Sequence, residues 1–288
     1  MANETKSPKA QGERISQEPS PGIDNEGNLN IVGIDPIAAP RDGVGRLIRR
    51  LHVPLKTPED VKPHLGSPSH YKEKHSAFCL VNGWMAENDI PELVRLTLDT
   101  VPALQKAILL EGFLEREVSL GDGARNSQTD LLCLLDINKQ LVVMSVEGKV
   151  GEPFGNHVSK ELESASDFKK SRIERLARVL GLSLEEAKPL RYQLIHRTAA
   201  AIFEAQRFHS GIAIMMVHSF DPADAGFADY RLFANAIGFK HVEPTYTVGP
   251  QPFEGVSLYL GWTADRPSSE GCFIIDRRKS DEGFFDED

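Results

Sequence analysis

Two apolar runs, residues 131–135 and 141–146, flank a short polar break and constrain the fold more than any other part of the chain. Such a pair of runs predicts a β-hairpin, and Asn138-Lys139 at its centre predicts a two-residue turn. With the turn centred there, Asp130 falls directly opposite Glu147 on the neighbouring strand, with Cβ atoms roughly 5 Å apart. Lys149 lies two residues further along and therefore on the same face of the sheet.

These three charged residues lie beside strands that are apolar on both faces, which is typical of a sheet covered by helices. A solvated surface hairpin is the less favoured alternative. Facing carboxylates repel each other unless a cation lies between them, and Mg²⁺ accepts one or two protein carboxylates together with water and phosphate. We therefore predict that Asp130 and Glu147 bind Mg²⁺ or Mn²⁺. The metal would polarise a phosphoryl oxygen and Lys149 would stabilise the attacking hydroxide, which is the chemistry of phosphodiester hydrolysis.

The order of predicted elements indicates an α/β protein with a mixed β-sheet flanked by helices on both faces. Residues 46–263 are predicted to form one domain. Residues 1–45 are rich in Ser, Pro, Gly and charge and are expected to be disordered, and residues 264–288 are expected to form an acidic, mobile tail. The predicted helices cover about 76–84, 92–98, 102–115, 167–180, 191–208 and 227–237, and the strands outside the hairpin cover about 118–120, 212–217 and 256–262.

Composition narrows the classes of function. The net charge of −9 argues against strong non-specific affinity for DNA. No apolar run is long enough to span a membrane, and the N-terminal residues, which lack an apolar core, are not expected to be a secretory signal. The three cysteines are an odd number without a CxxC pair, so we expect them to be reduced in a cytoplasmic protein.

The chain resembles the PD-(D/E)XK nuclease superfamily, with its restriction-endonuclease-like fold, and more closely an uncharacterised bacterial family within it. The resemblance covers about residues 70–263, and Thr129 stands where the superfamily signature often has Pro. The segments that carry it are His75-Ser76-Ala77, Trp84, residues 125–130, 146–150, 152–155 and 192–197, Val217-His218-Ser219-Phe220 and residues 258–262.

The resemblance also implies auxiliary residues. Superfamily members often place a Glu on the helix before the first strand; Glu111 and Glu115 both qualify, and Glu111 is slightly favoured because it follows an apolar stretch. Gln193 is expected to face the active site. Arg197, one turn further on, would bind a phosphate, or would instead pair with Glu204 or Glu161.

Two more residues precede Asp130. Arg125 and Gln128 would either hold a substrate phosphate or order the turn. The basic-rich segment around residues 169–178 is more typical of a solvated helix face than of a surface that contacts nucleic acid. The leading hypothesis is a nuclease whose partner is nucleic acid, DNA rather than RNA. A catalytically silent binding module and a small phosphate-ester hydrolase remain alternatives, and a homodimer or a partner protein is compatible with each.

Overall fold

The structure is a computed structural model that describes residues 52–123, 126–221 and 223–265. Its centre is a six-stranded sheet in the order β1-β2-β3-β4-β6-β5. The pairs β3–β4 and β4–β6 are parallel and the other three are antiparallel, which confirms the predicted mixed sheet. The strands are β1 (Ile108–Val118), β2 (Ser127–Ile137), β3 (Gln140–Lys149), β4 (Ile212–Ser219), β5 (Tyr246–Phe253) and β6 (Val256–Ala264).

The β2–β3 hairpin has the predicted register. Ile137 pairs with Gln140, and the ladder continues to Leu131 paired with Val146. Asn138 and Lys139 both have positive φ, 54° and 65°, as the favoured two-residue hairpin turn requires. The next position beyond the last pair therefore places Asp130 opposite Glu147.

Helices cover both faces of the sheet, as predicted. Successive residues of β4 alternate between two cores: Ala213 and Met215 pack with the helices on one face, and Ile214 and Met216 pack with the helices on the other. The first face is covered chiefly by α4 (Asp167–Val179), α6 (Tyr192–Arg207) and α7 (Phe227–Ala236), and the second by α1 (Ser76–Glu87) and α2 (Glu92–Asp99). Two short helices, α3 (Val158–Glu163) and α5 (Leu184–Ala187), complete the α-helices of the described chain, and Pro58–His64 and Pro68–His70 form 3-10 helices.

The predicted helix over 102–115 is wrong. Only Pro102–Leu104 forms a 3-10 turn, and residues 108–118 form β1, the edge strand of the sheet. The apolar side chains Ile108 and Leu110 are 58% and 54% exposed there. A short apolar run does not distinguish a strand from a helix by periodicity, and that ambiguity produced the error. Strand β5 was not predicted from the sequence.

The remaining predictions concern the two ends of the chain, membrane-spanning helices and the cysteines. The segment 1–45, and the tail 264–288 apart from residues 264 and 265, lie outside the described residues. Among the described residues, no helix is long and apolar enough to cross a membrane. Cys133 is a buried free thiol, whereas Cys79 is disulfide-bonded, so the expectation that every cysteine is reduced is wrong.

Candidate functional site

The site lies at the end of the sheet where β2 begins and β3 ends. Alternate residues of each strand face the same side, and on β2 and β3 Leu132 and Val143 face the core that α6 covers. Asp130, Glu147 and Lys149 continue these two rows and point toward the same helix. The first turns of α6 bring Gln193 and Arg197 over them.

Glu147 is a buried carboxylate held by three donors. Its Oε1 accepts hydrogen bonds from Lys149 Nζ at 2.9 Å and Gln193 Nε2 at 2.6 Å, and its Oε2 accepts one from Arg197 Nε at 2.6 Å. Burial alone would raise the pKa of Glu147, but Arg197 and Lys149 outweigh burial and lower the pKa to about 2. Glu147 is therefore ionised throughout the physiological range.

Lys149 is held in place from three sides. Its Nζ also donates to Gln193 Oε1 at 3.1 Å and lies 4.9 Å from the ring centroid of Phe154, within the range of a cation–π interaction. Burial would lower the pKa of this ammonium, but Glu147 and Asp130 raise it above the ordinary value. Lys149 is thus a fixed positive charge rather than a proton acceptor.

The pKa of Asp130 is shifted in the opposite direction from that of Glu147. Its Oδ2 accepts a hydrogen bond from the Gly148 N–H at 2.9 Å, and its Oδ1 lies 3.7 Å from Arg197 Nη2. Burial, followed by the charge of Glu147, raises the pKa of Asp130 to about 7. An ionised Asp130 is therefore costly here without additional positive charge.

Glu115 is a further carboxylate beside Asp130. Leu114 pairs with Leu131 and Arg116 pairs with Thr129, so Glu115 lies between these pairs, opposite Asp130. Burial, followed by the charge of Asp130, raises the pKa of Glu115 to about 8. Glu111, which the sequence favoured, is exposed on the same strand and borders neither cavity. The segment is a strand and not the predicted helix, and it brings Glu115 rather than Glu111 to the cleft.

The donor set is compatible with a divalent cation. Carboxylate oxygens are the ligands that Mg²⁺ and Mn²⁺ prefer. Burial and neighbouring carboxylates raise the pKa values of Asp130 and Glu115, so a cation bound there would favour their ionised forms. Among the described residues, however, no three or more His, Cys, Asp or Glu side chains converge closely enough to hold a metal ion. A metal here would depend on two protein carboxylates, with water or substrate supplying the other ligands.

Two adjoining cavities open onto these groups. The first, about 580 Å³, is bordered by Glu115, Gln128 and Asp130. The second, about 610 Å³, is bordered by Lys149 and Gln193. Asp130 and Arg197 border both cavities, so the two form one cleft with the charged cluster at their junction.

The remaining candidates fall into three groups. Gln128 lies at the cleft and donates from Nε2 to His64 O at 2.9 Å, which supports its role in ordering the chain. Arg197 is at the site but pairs with Glu147 and Asp130 rather than with Glu204 or Glu161. Arg125 lies outside the described residues.

Ser127 and Phe154 lie in segments that carry the resemblance, but no role was predicted for either residue. Ser127 Oγ accepts a hydrogen bond from Arg197 Nη1 at 2.9 Å and lies 3.0 Å from His196 Nδ1, so it orients the guanidinium. Burial, followed by the charge of Arg197, lowers the pKa of His196 to about 3, which keeps this imidazole neutral. Regular alternation along the strand from Asp130 would place Ser127 on the face away from α6, and nothing in the sequence indicated the contact with Phe154.

The fold and this cluster define an α/β protein that carries buried carboxylates and a lysine at one end of a mixed sheet. The chain belongs to the family described as "Domain of unknown function (DUF6946)", whose model matches residues 54–267. The matched span contains every described site residue. No curated protein and no solved structure matches the chain.

Proposed function

We propose that this protein is a metal-dependent nuclease that hydrolyses phosphodiester bonds in nucleic acid, DNA in preference to RNA. The observation that carries the proposal is the convergence of Asp130, Glu147 and Lys149 on one face of the sheet, at the junction of two cavities. The resemblance to the PD-(D/E)XK superfamily supports it, because Asp on one strand and Glu-Xxx-Lys on the next is that signature. A restriction-endonuclease-like fold belongs to the same proposal.

Each residue of the site has a separate role in the proposed reaction. Asp130 and Glu147 would hold Mg²⁺ or Mn²⁺, and the metal would supply Lewis-acid polarisation of a phosphoryl oxygen and a more acidic bound water. Lys149, protonated because of Glu147 and Asp130, orients the attacking oxygen and stabilises negative charge as it develops. Arg197 and Gln193 fix the Glu147 carboxylate through the hydrogen bonds described above.

One observation favours a catalytically silent binding module on the same fold. Both oxygens of Glu147 already accept hydrogen bonds, from Lys149, Gln193 and Arg197. One lone pair of the carboxylate remains, on Oε2, so a metal that uses Glu147 must bind there beside Arg197 or displace one of the donors. The net charge of −9 favours a third alternative, a small phosphate-ester hydrolase, because it disfavours strong affinity for polynucleotides.

The proposal extends to surroundings and partners. We propose that the protein acts on nucleic acid in the cytoplasm. A homodimer or a complex with a partner protein is compatible with this proposal. None of these assemblies is needed to complete the cluster, because Asp130, Glu147, Lys149 and Arg197 all come from one chain.

The proposal is tested by nuclease activity with Mg²⁺ or Mn²⁺ on supercoiled, linear and single-stranded DNA and on RNA. Wild type is compared with Asp130→Asn and Lys149→Ala. Glu111→Gln is the matched control, because Glu111 is an exposed carboxylate on the same sheet, away from the cleft. We expect metal-dependent cleavage by wild type and by Glu111→Gln, and loss of cleavage in both site variants.

Two other outcomes would each replace the proposed nuclease by one of the alternatives. Salt-dependent binding of nucleic acid without turnover would replace the nuclease by the binding module. If the protein neither binds nor cleaves nucleic acid but hydrolyses bis(p-nitrophenyl) phosphate in a Lys149-dependent way, the phosphate-ester hydrolase would take its place.

A further inference from the structure

A wall of three basic side chains borders the first cavity, which carboxylates also border. His70, Lys74 and His75 border that cavity together with Asp130 and Arg197. The three basic residues are exposed, so they can reach a ligand that enters from solvent. The Lys74 ammonium donates to phosphate oxygens as a point charge, and an imidazole donates at least one N–H bond even when it is neutral.

This wall is fixed to the body of the protein. Tyr71 and Val61 pack with Val81 of α1 in a small separate core, and Asn82 Nδ2 donates to Tyr71 Oη at 3.0 Å. From the other side of the cleft, Gln128 Nε2 donates to His64 O. The backbone that carries the basic side chains of the wall is therefore held against the rest of the protein by packing and hydrogen bonds.

The most basic helix of the described chain does not offer a comparable surface. Each of the five bases on α4 lies near an acidic side chain. The pairs are Lys169 with Glu161, Lys170 with Asp167, Arg172 and Arg175 with Asp122, and Arg178 with Glu174. A ligand that makes many phosphate contacts, as duplex DNA does with proteins that neutralise 6–10 phosphates, finds no matching positive surface on this helix.

We infer that the wall of His70, Lys74 and His75 binds backbone phosphates of a single-stranded nucleic acid and guides the strand to the junction at Asp130. This inference rests on the proposed function of the same cleft and names its substrate class. Two adjoining cavities of about 580 and 610 Å³ suit one or two unpaired nucleotides, since pockets of this size enclose ligands of drug size. A few phosphate contacts, rather than 6–10, also fit a chain with net charge −9.

The carboxylates that border the same cavity make phosphate binding depend on a cation. Glu115, Asp130 and Glu152 face the ligand as well, and their charges repel phosphate. A divalent cation at Asp130 reduces that repulsion, so we expect the strand to bind more tightly with Ca²⁺ than with a chelator present.

Binding is measured by fluorescence anisotropy on the full chain with Lys149→Ala, so that the strand is not cut during titration. The probes are a labelled single-stranded 12-mer and its duplex, titrated in Ca²⁺ over a series of salt concentrations. Lys74→Gln removes the charge of the wall and keeps a residue of similar backbone preference, which matters because Lys74 has a φ of 67°. Lys72→Gln is the matched control, since Lys72 is an exposed lysine of the same segment that borders neither cavity.

We expect tighter binding of the single strand than of the duplex, and a slope of log K against log salt equivalent to a few contacts at about −0.7 each. Lys74→Gln should reduce the magnitude of that slope by about 0.7, while Lys72→Gln matches the parent. Equal thermal denaturation of the two variants shows that both are folded.

The inference is overturned if the duplex binds as tightly as the single strand, if the two lysine variants behave alike, or if neither probe binds. It fails separately from the proposed function. Lys74-dependent binding without cleavage by the wild-type chain retains the wall and removes the nuclease, whereas cleavage that is indifferent to Lys74 removes the wall and retains the nuclease.

Discussion

Glu115 lies opposite Asp130 across the β1–β2 pair, because the pairs Leu114–Leu131 and Arg116–Thr129 flank it on either side. Two carboxyl groups are thereby held together at the cleft. Burial raises both pKa values; the charge of Asp130 adds to the shift of Glu115, to about 8, and the charge of Glu147 adds to that of Asp130, to about 7. In the unfolded chain these groups ionise near their ordinary values of 4.5 and 3.8.

This difference predicts how stability depends on pH. Between pH 4.5 and about 7, the folded protein retains protons that the unfolded chain has lost, so the free energy of unfolding decreases as pH rises. Glu147 acts in the opposite sense, since its pKa is lowered to about 2, and its contribution is lost below pH 4.5. Urea denaturation without divalent cations should show a decrease of at least about 1.4 kcal/mol from pH 5 to pH 8, the equivalent of one pKa unit.

Two matched variants identify the group that causes this decrease in the free energy of unfolding. Glu115→Gln removes the group with the higher pKa and should flatten the pH dependence. Glu111→Gln removes an exposed carboxylate of the same strand and should leave the dependence unchanged. Identical profiles for the two variants would mean that Glu115 is not the group that titrates.

Divalent metal should stabilise the folded protein at this site. At a Mg²⁺ concentration ten times the dissociation constant, the free energy of unfolding should increase by about 1.4 kcal/mol. The increase should be larger at pH 8 than at pH 5, because metal ligands must be deprotonated. Isothermal titration calorimetry and urea denaturation measure the effect; Asp130→Asn should abolish it, and its persistence in that variant would place the metal elsewhere.

Arg197 should be a major contributor to stability. Its guanidinium is 11% exposed and its partner Glu147 is 4% exposed, so Arg197→Met leaves a buried carboxylate short of one partner. Loss of one partner of a buried pair costs about 3–5 kcal/mol. Arg178→Met, which breaks an exposed pair with Glu174, should change the free energy of unfolding by less than about 1 kcal/mol. Urea denaturation of both variants compares the two, and similar small losses would contradict the buried pair.

The hairpin turn gives a prediction far from the cleft. Lys139 has a φ of 65°, which costs a residue with a side chain about 1–2 kcal/mol. Lys139→Gly should therefore maintain or raise the unfolding free energy, and Lys139→Val should lower it, because β-branched residues disfavour positive φ. If valine were tolerated as well as glycine in urea denaturation, the two-residue turn would be incorrect.

The hairpin was predictable because its signals are local. A two-residue turn fixes the register of both strands, and that register places Asp130 opposite Glu147 from the amino-acid sequence alone. The helices that begin near Glu92, Asp167 and Tyr192 were equally local, since their apolar spacing and starting residues lie within one segment.

The errors arose where tertiary context decides. Residues 108–118 contain a run that fits a helix or a strand equally well, and only pairing with β2 selects the strand and brings Glu115 rather than Glu111 to the site. The ion pair between Arg197 and Glu147 joins residues far apart in sequence. Local acids such as Glu204 were therefore reasonable candidates, and Glu204 instead pairs with Arg116 and Arg207.

The most direct measurement is single-turnover cleavage of a labelled single-stranded oligonucleotide in Mg²⁺ and in chelator, with wild type, Lys149→Met and Glu111→Gln. The account predicts a metal-dependent cut by wild type and by Glu111→Gln, and none by Lys149→Met although it still binds the strand. Cleavage that survives in Lys149→Met, or that proceeds in the chelator, would contradict a metal-dependent site built on Asp130, Glu147 and Lys149.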